Sequence, residues 1–265
     1  MLFCATGCIG VHTPESEYPM DIDVLDIGQA DCIILTFEGL CVMIDAGEED
    51  DGEDILEHLA LKNISRIDLL ILTHFDKDHI GGADHVLNGV EVSKVIMPDY
   101  ERDSKQYRQL EEAVNSSSAE IVKTIEDMSF TVGTADFEIW ASPIAYDAEL
   151  ENDNEMSLVT RIVYGEMAML FLADAEGEWL DLIVNKNYNI TCDLIKMPCH
   201  GAWDGFNSSL LLGFGFPRYA IITDSSKNPA DVETISGLDV VGAKISRTSG
   251  GEIHLTCDGS DFTVD

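Results

Sequence analysis

The chain has 265 residues, 45% of them apolar, enough for one large domain or two small ones with a sizeable core. Fifty acidic residues stand against 15 basic ones, a net charge of −35. Such a charge repels polyanions at long range and argues against long nucleic acid as a partner, because that binding rests on lysine and arginine contacts to phosphate. No apolar run approaches the roughly 18 residues that span a bilayer, so no membrane partner is expected.

Residues 1–20 read as an irregular lead-in, with no basic residue and too short an apolar stretch among the first ten for a secretory signal. Residues 21–265 read as a single domain. The seven cysteines form an odd set without a CxxC pair, and several lie inside apolar runs, which favours buried thiols in a reducing compartment, the cytoplasm. Strands are predicted at Ile22–Ile27, Cys32–Phe37 and Leu40–Ile44, with turns at Gly28 and at Glu38-Gly39. Asp51 or Gly52 is placed to cap a helix from Glu53 to Asn63 that shows Ile55, Leu56, Leu59 and Ala60 on one face. An apolar strand then runs from Ile67 to Thr73, Gly81-Gly82 leads into a short helix, a strand at Val92–Met97 stops at Pro98, and residues 104–117 form an amphipathic helix. Further strands are predicted at Ile121–Ile125, Phe137–Ala141, Ser157–Tyr164, Ala168–Ala173, Asp193–Met197, Tyr219–Thr223, Ala243–Ser246 and Glu252–Thr256, with helices at 175–186, 205–213 and 229–237. Leading strands followed by helices between strands describe an α/β sandwich rather than a Rossmann-type repeat of βαβ units.

The chemistry concentrates where the strand Ile67–Thr73 ends, in His74-Phe75-Asp76-Lys77-Asp78-His79-Ile80-Gly81. Residues 74, 76 and 78 alternate as along a strand or a turn leaving it, while 78 and 79 diverge. One tight turn can therefore serve two neighbouring metals. Imidazole and carboxylate ligands suit zinc, manganese or iron(II), and two such cations polarise a phosphoryl or carbonyl oxygen and generate hydroxide near neutral pH. Two other apolar strands end in similar groups: Leu170-Phe171-Leu172-Ala173 in Asp174, and Leu194-Ile195-Lys196-Met197-Pro198 in Cys199-His200-Gly201.

In order along the chain, Asp23-Val24-Leu25-Asp26-Ile27-Gly28-Gln29-Ala30-Asp31, Met43-Ile44-Asp45-Ala46-Gly47, Leu72 to Gly82, Asn154-Glu155-Met156-Ser157-Leu158-Val159, Leu172-Ala173-Asp174-Ala175-Glu176 and Lys196-Met197-Pro198-Cys199-His200-Gly201 form six motifs. Through them the chain resembles the metallo-β-lactamase fold superfamily, and within it the soluble hydrolase domain of the DNA-uptake competence protein ComEC. The resemblance implies a four-layer αββα sandwich of two mixed sheets with a metal site at one edge. It implies two divalent ions, zinc or manganese, with His74 and Asp76 on the first, Asp78, His79 and His200 on the second, and Asp174 bridging. It gives Asp78 the further role of orienting the metal-bound hydroxide, and it makes Asp45 a support for a ligand histidine. Asn154 falls where many relatives place another histidine, as a weak ligand or substrate contact. Cys199 replaces the first histidine of a His-His-Gly-Ser motif, as a soft ligand or a packing residue. A Gly-His-Pro motif of the relatives has no counterpart at Ser226-Lys227-Asn228-Pro229.

The expected function is a metal-dependent hydrolase that cleaves a phosphodiester in a nucleotide or short nucleic acid. The alternatives are a thioester or lactone hydrolase of the same fold and a non-catalytic member that binds metal or ligand.

Overall fold

The computed structural model describes residues 19–147, 152–185, 188–202, 211 and 213–264. Two large mixed sheets lie face to face. The first has eight strands: β1 (Met20–Val24), β2 (Ile33–Phe37), β3 (Leu40–Ile44), β5 (Leu69–Ile71), β7 (Lys94–Pro98), β8 (Glu120–Thr124), β16 (Ile253–Cys257) and β17 (Phe262–Val264), in the order β17-β16-β1-β2-β3-β5-β7-β8. The second has seven: β9 (Met128–Val132), β10 (Ala135–Trp140), β11 (Val159–Tyr164), β12 (Met167–Phe171), β13 (Leu194–Lys196), β14 (Tyr219–Ile222) and β15 (Lys244–Arg247), in the order β15-β14-β13-β12-β11-β10-β9. Each sheet is antiparallel at one end and parallel at the other: β3, β5, β7 and β8 run parallel in the first, β12 to β15 in the second.

Both faces of each sheet are covered, which is why the strands read as continuous apolar runs rather than alternating ones. Along β2, Ile33, Leu35 and Phe37 enter the core between the sheets, while Ile34 faces the opposite way. That outer face packs on α1 (Gly52–Leu61), α2 (Lys77–Ile80), α3 (Ala83–Gly89) and α4 (Lys105–Ser116), with Ile55, Leu59, Val86 and Leu110 among the buried residues. The outer face of the second sheet packs on α5 (Gly177–Asn185) and α6 (Val232–Val241) through Trp179, Ile183 and Leu238. The layers are therefore helix, sheet, sheet, helix.

Local chemistry explains most boundaries. Glu38 and Gly39 both take positive φ (55° and 76°) and close a two-residue hairpin between β2 and β3, the turn whose twist matches the strands. Ser104 caps α4, its hydroxyl accepting from the Tyr107 amide at 3.1 Å. The single strand expected over Ile67–Thr73 is instead interrupted at Asp68, whose carboxylate accepts from the Cys41 amide at 2.9 Å. The piece before it, β4 (Arg66–Ile67), leaves the sheet to pair with β6 (Glu91–Val92). Strand β9 was not expected, although Met128, Phe130 and Val132 alternate with polar residues before a turn at Gly133; its half-exposed edge position diluted the pattern. At α1, Ala60 proves exposed, and Asp51 makes no side-chain cap. The lead-in expected over residues 1–20 and the helix over 205–213 lie almost wholly outside the described residues.

Candidate metal centre

The parallel strands of both sheets deliver their C-terminal ends to one edge of the sandwich, where open α/β sheets collect functional groups. From the first sheet, β3 leads into Asp45, β5 into Thr73 and His74, and α2 carries Asp78 and His79; from the second, β12 leads into Asp174 and β13 into Cys199 and His200. The alternation expected at 74, 76 and 78 ends at Asp76, because Asp78 already lies on the helical turn. Asp45, Ala173, Cys199 and His200 hold φ between 48° and 59°, four of the seven non-glycine residues with positive φ among the described residues. Backbone strain of this kind costs about 1–3 kcal/mol per residue and clusters where function needs a fixed geometry. Close approach is needed as well. A Cβ on Gly81 would run into the Glu49 amide nitrogen and the Lys77 carbonyl, and glycine there lets the Gly81 and Gly82 amides donate to the Gly47 and Ala46 carbonyls at 2.8 and 3.1 Å.

Three buried imidazoles converge in the same manner. Thr73 Oγ1 donates to Asp45 Oδ2 at 2.7 Å and thus accepts from His74 Nδ1 at 3.0 Å. His79 Nδ1 donates to Asp45 Oδ2 at 2.8 Å. His200 Nδ1 donates to Thr223 Oγ1 at 2.9 Å. Each ring is therefore anchored through its outer nitrogen and turns Nε2 inward, the arrangement in which a partner behind a metal ligand fixes its orientation. The Nε2 atoms of His74, His79 and His200 and Asp174 Oδ1 are buried without a hydrogen-bond partner. Ligand atoms of His74, His79 and Asp174 lie within 4.8 Å of one another, as do those of Asp78, His79 and His200. Four orphaned buried polar atoms at one edge of the sandwich would be costly without a partner. Divalent cations held by these groups would satisfy them, and an imidazole–carboxylate donor set suits a transition metal.

The electrostatics agree. Burial works to lower the His79 and His200 pKa values, yet the Asp174 carboxylate, joined by Asp45 at His79 and by Asp31 and Asp78 at His200, outweighs it and pushes both well up. His74 is held down by burial and by its neighbour His79. Asp174, buried among these groups, is held well below the usual carboxylate range by His200 and His79 against the burial penalty. The centre is a pocket of negative potential that favours a cation.

Other anticipated residues take distinct positions. Asp45 stands behind His74 and His79 and also accepts from the Thr73 amide at 2.8 Å. Asp76 Oδ2 lies 3.7 Å from His74 Nε2, but its Oδ1 pairs with Arg102, and among the described residues it joins no ligand group. The Cys199 thiol is buried, 3.3 Å from the Asp174 carbonyl, and burial pushes its pKa up, so it packs rather than presenting a thiolate. Asn154 Nδ2 donates to Glu176 Oε1 at 3.0 Å. Two buried residues were not singled out beforehand. Asp31 approaches His200 Nδ1 at 3.3 Å, and Lys196 pairs with Asp31, donates to the Ala173 carbonyl at 3.1 Å and lies 3.7 Å from Asp174. A lysine inside the apolar strand Leu194–Lys196 was itself a sign, since a buried ammonium needs carboxylate neighbours.

A sandwich of this topology with imidazoles and carboxylates at one edge defines a class of metal-dependent proteins. Residues 25–212 match the Metallo-beta-lactamase superfamily, and the chain belongs to that family, whose members typically bind divalent metals and are mostly hydrolases. Within it the chain is ComEC-like. It is 28% identical to ComE operon protein 3 of Bacillus subtilis (strain 168), an alignment covering 78% of this chain and 29% of that protein, so the chain spans under a third of that relative's length. Among solved structures it resembles the metallo-beta-lactamase fold protein YhfI from Bacillus subtilis, with a TM-score of 0.57, 14% identity and 89% and 99% of the two chains covered. It also resembles a diphosphatase of the PhnP family, with a TM-score of 0.55, 14% identity and 91% and 98% covered. At these identities the solved structures speak for the fold alone. Among the described residues no helix is long and apolar enough to cross a membrane.

Proposed function

We propose that the protein is a metal-dependent phosphodiesterase acting on a nucleotide or a short oligonucleotide, with zinc or manganese in the centre. The observation that carries the metal dependence is the convergence of the His74, His79 and His200 Nε2 atoms with the Asp78 and Asp174 carboxylates. When bound, divalent ions supply Lewis-acid polarisation of a phosphoryl oxygen and an activated water. The protein's own part is to orient. Asp78, on the first turn of α2, has an oxygen 3.3 Å from His200 Nε2 and faces outward enough to meet substrate.

The phosphodiester assignment draws on the resemblance to the ComEC hydrolase domain, through ComE operon protein 3, and on the cavity beside the centre. That cavity, of about 580 Å³, is lined by Asp78, Lys77, Lys227, Ser225, Asn228 and Gln29 among others. Lys227 and the neutral donors Ser225, Asn228 and Gln29 can meet a phosphate, while Lys77 pairs with Glu48 at 2.6 Å and Asp26 adds a further carboxylate to the lining. The volume and the −35 charge favour a small substrate over long DNA. The buried free cysteines Cys32, Cys41, Cys192, Cys199 and Cys257 support a reducing compartment, the cytoplasm.

The test combines metal content with a substrate screen. Metal-supplemented protein is expected to retain transition metal and to turn over bis-p-nitrophenyl phosphate, with Asp78→Ala inactive. Turnover of thioester or lactone probes alone would overturn the phosphodiester assignment, and absence of bound metal would overturn the metal dependence.

A further inference from the structure

One arginine sits where a cation is least expected unless it has a task. Arg102 lies in the loop between β7 and α4, and its Nη1 pairs with both Asp76 Oδ1 and Asp153 Oδ2. Asp153 is buried at 1% exposure, in the short turn Asp153–Met156 ahead of β11. It also accepts from the Tyr100 hydroxyl at 3.1 Å, and the Tyr100 oxygen in turn accepts from the Phe75 amide at 2.9 Å. The chain Phe75–Tyr100–Asp153–Arg102–Asp76 thus begins and ends within the segment that carries His74. It fixes a guanidinium on the one carboxylate of that segment that joins no ligand group among the described residues.

We propose that Arg102 is a permanent cation of the metal centre: it holds Asp76, so that the centre takes one divalent ion tightly at Asp78, His79, Asp174 and His200, and a second, on the His74 side, only weakly. The inference rests on the metal-centre reading above. Its physical basis is charge and geometry. A guanidinium stays protonated at every working pH, is weakly hydrated and forms strong pairs with carboxylates. A second ion that drew on Asp76 would have to displace that pair and stand beside a guanidinium that the buried Asp153 keeps in place. The tight ion needs no contribution from Asp76, since Asp78, His79 and His200 form a ligand group without it, whereas the Asp76 carboxylate lies 3.7 Å from His74 Nε2, where the second ion would draw on it. Asp76 and Arg102 are both only partly exposed and border a cavity of about 290 Å³ that also touches Asp78. The built-in charge therefore lies next to the open side of the centre.

The experiment is a metal titration of the full chain with Zn²⁺ and Mn²⁺, using competition with a chromophoric chelator and calorimetry, and with Co²⁺ absorption as a spectroscopic count. Wild-type protein is expected to take one equivalent tightly and a second at least tenfold more weakly. Arg102→Gln should tighten the second equivalent at least tenfold and leave the first within about threefold. Arg102→Lys, which keeps the charge, should retain the wild-type pattern. Asp76→Asn should leave the tight equivalent within about threefold, a result readable even if the Arg102 variants fold poorly. Two equivalents of equal affinity in the wild type would overturn this inference while leaving the metal-dependent reading intact. So would an unchanged second equivalent in Arg102→Gln, or loss of the tight one in Asp76→Asn. No bound ion at all would overturn both.

Discussion

Asp45→Asn isolates the contribution of the groups behind the ligands. Asp45 is fully buried and accepts three hydrogen bonds, from the Thr73 amide (2.8 Å), Thr73 Oγ1 (2.7 Å) and His79 Nδ1 (2.8 Å). Asparagine matches its shape and is among the few residues at ease with positive φ, so the strained backbone at 59° is retained. Its carbonyl oxygen can still accept from the Thr73 amide. Its NH2 then faces the Thr73 hydroxyl and the His79 Nδ1 proton, a donor set against donors. His79 relieves the conflict by moving its proton to Nε2, which removes the lone pair aimed into the centre. Loss of such an outer partner costs about 10–100-fold in metal affinity, or about 1.4–2.7 kcal/mol. The same mismatch disturbs two buried hydrogen bonds in the metal-free protein and should lower its stability by about 1–3 kcal/mol. Zinc affinity by chelator competition, alongside thermal unfolding of the metal-free protein, separates the two effects. A folded Asp45→Asn that binds zinc within threefold of wild type would refute the reasoning.

Lys196→Met removes the buried ammonium that separates Asp31 from Asp174, and breaking such a pair costs about 3–5 kcal/mol; denaturant unfolding in EDTA should show the loss, and divalent metal should recover part of it. Asp23 is a buried carboxylate on β1, held well below its usual range by hydrogen bonds from His58, Lys62 and His254 that overcome the burial penalty. Its folded pKa lies below its unfolded one, so it stabilises the protein above about pH 4 and stops doing so as the pH falls through the folded value. Asp23→Asn should thus cost on the order of 1–3 kcal/mol at pH 7 and flatten the acid limb of a stability-versus-pH curve; an unchanged acid limb would count against the assignment. Gly81→Ala drives a Cβ into backbone atoms of Lys77 and Glu49 and should cost on the order of 2 kcal/mol or more, seen as a lowered Tm with weakened metal retention.

The ligand cluster was legible because burial on both faces makes the delivering strands apolar throughout, so a sudden run of imidazoles and carboxylates after Thr73 stands out. Asp174 and His200 were legible for the same reason, each ending an apolar run. Asp31 and Lys196 are single residues whose significance depends on the two sheets meeting, and no local periodicity reports that. Arg102 was invisible for a related cause: its partners Asp76 and Asp153 lie 26 and 51 residues away, and only the fold makes them neighbours. The short strand β17 escaped because three residues are too few to show a period, and for the same reason β4 and β6 read as continuous with β5 and β7.

The two sheets share one building plan, an antiparallel meander continued by parallel strands, and each turns the same end toward the edge that carries the centre. Asp31, Asp45, His74, Asp78 and His79 come from the first half of the chain, and Asp174, Lys196 and His200 from the second. Neither half holds a full set. A bound ion at their junction would be a rivet through two leaves, and cutting the chain between them would divide the donors rather than spare a working part.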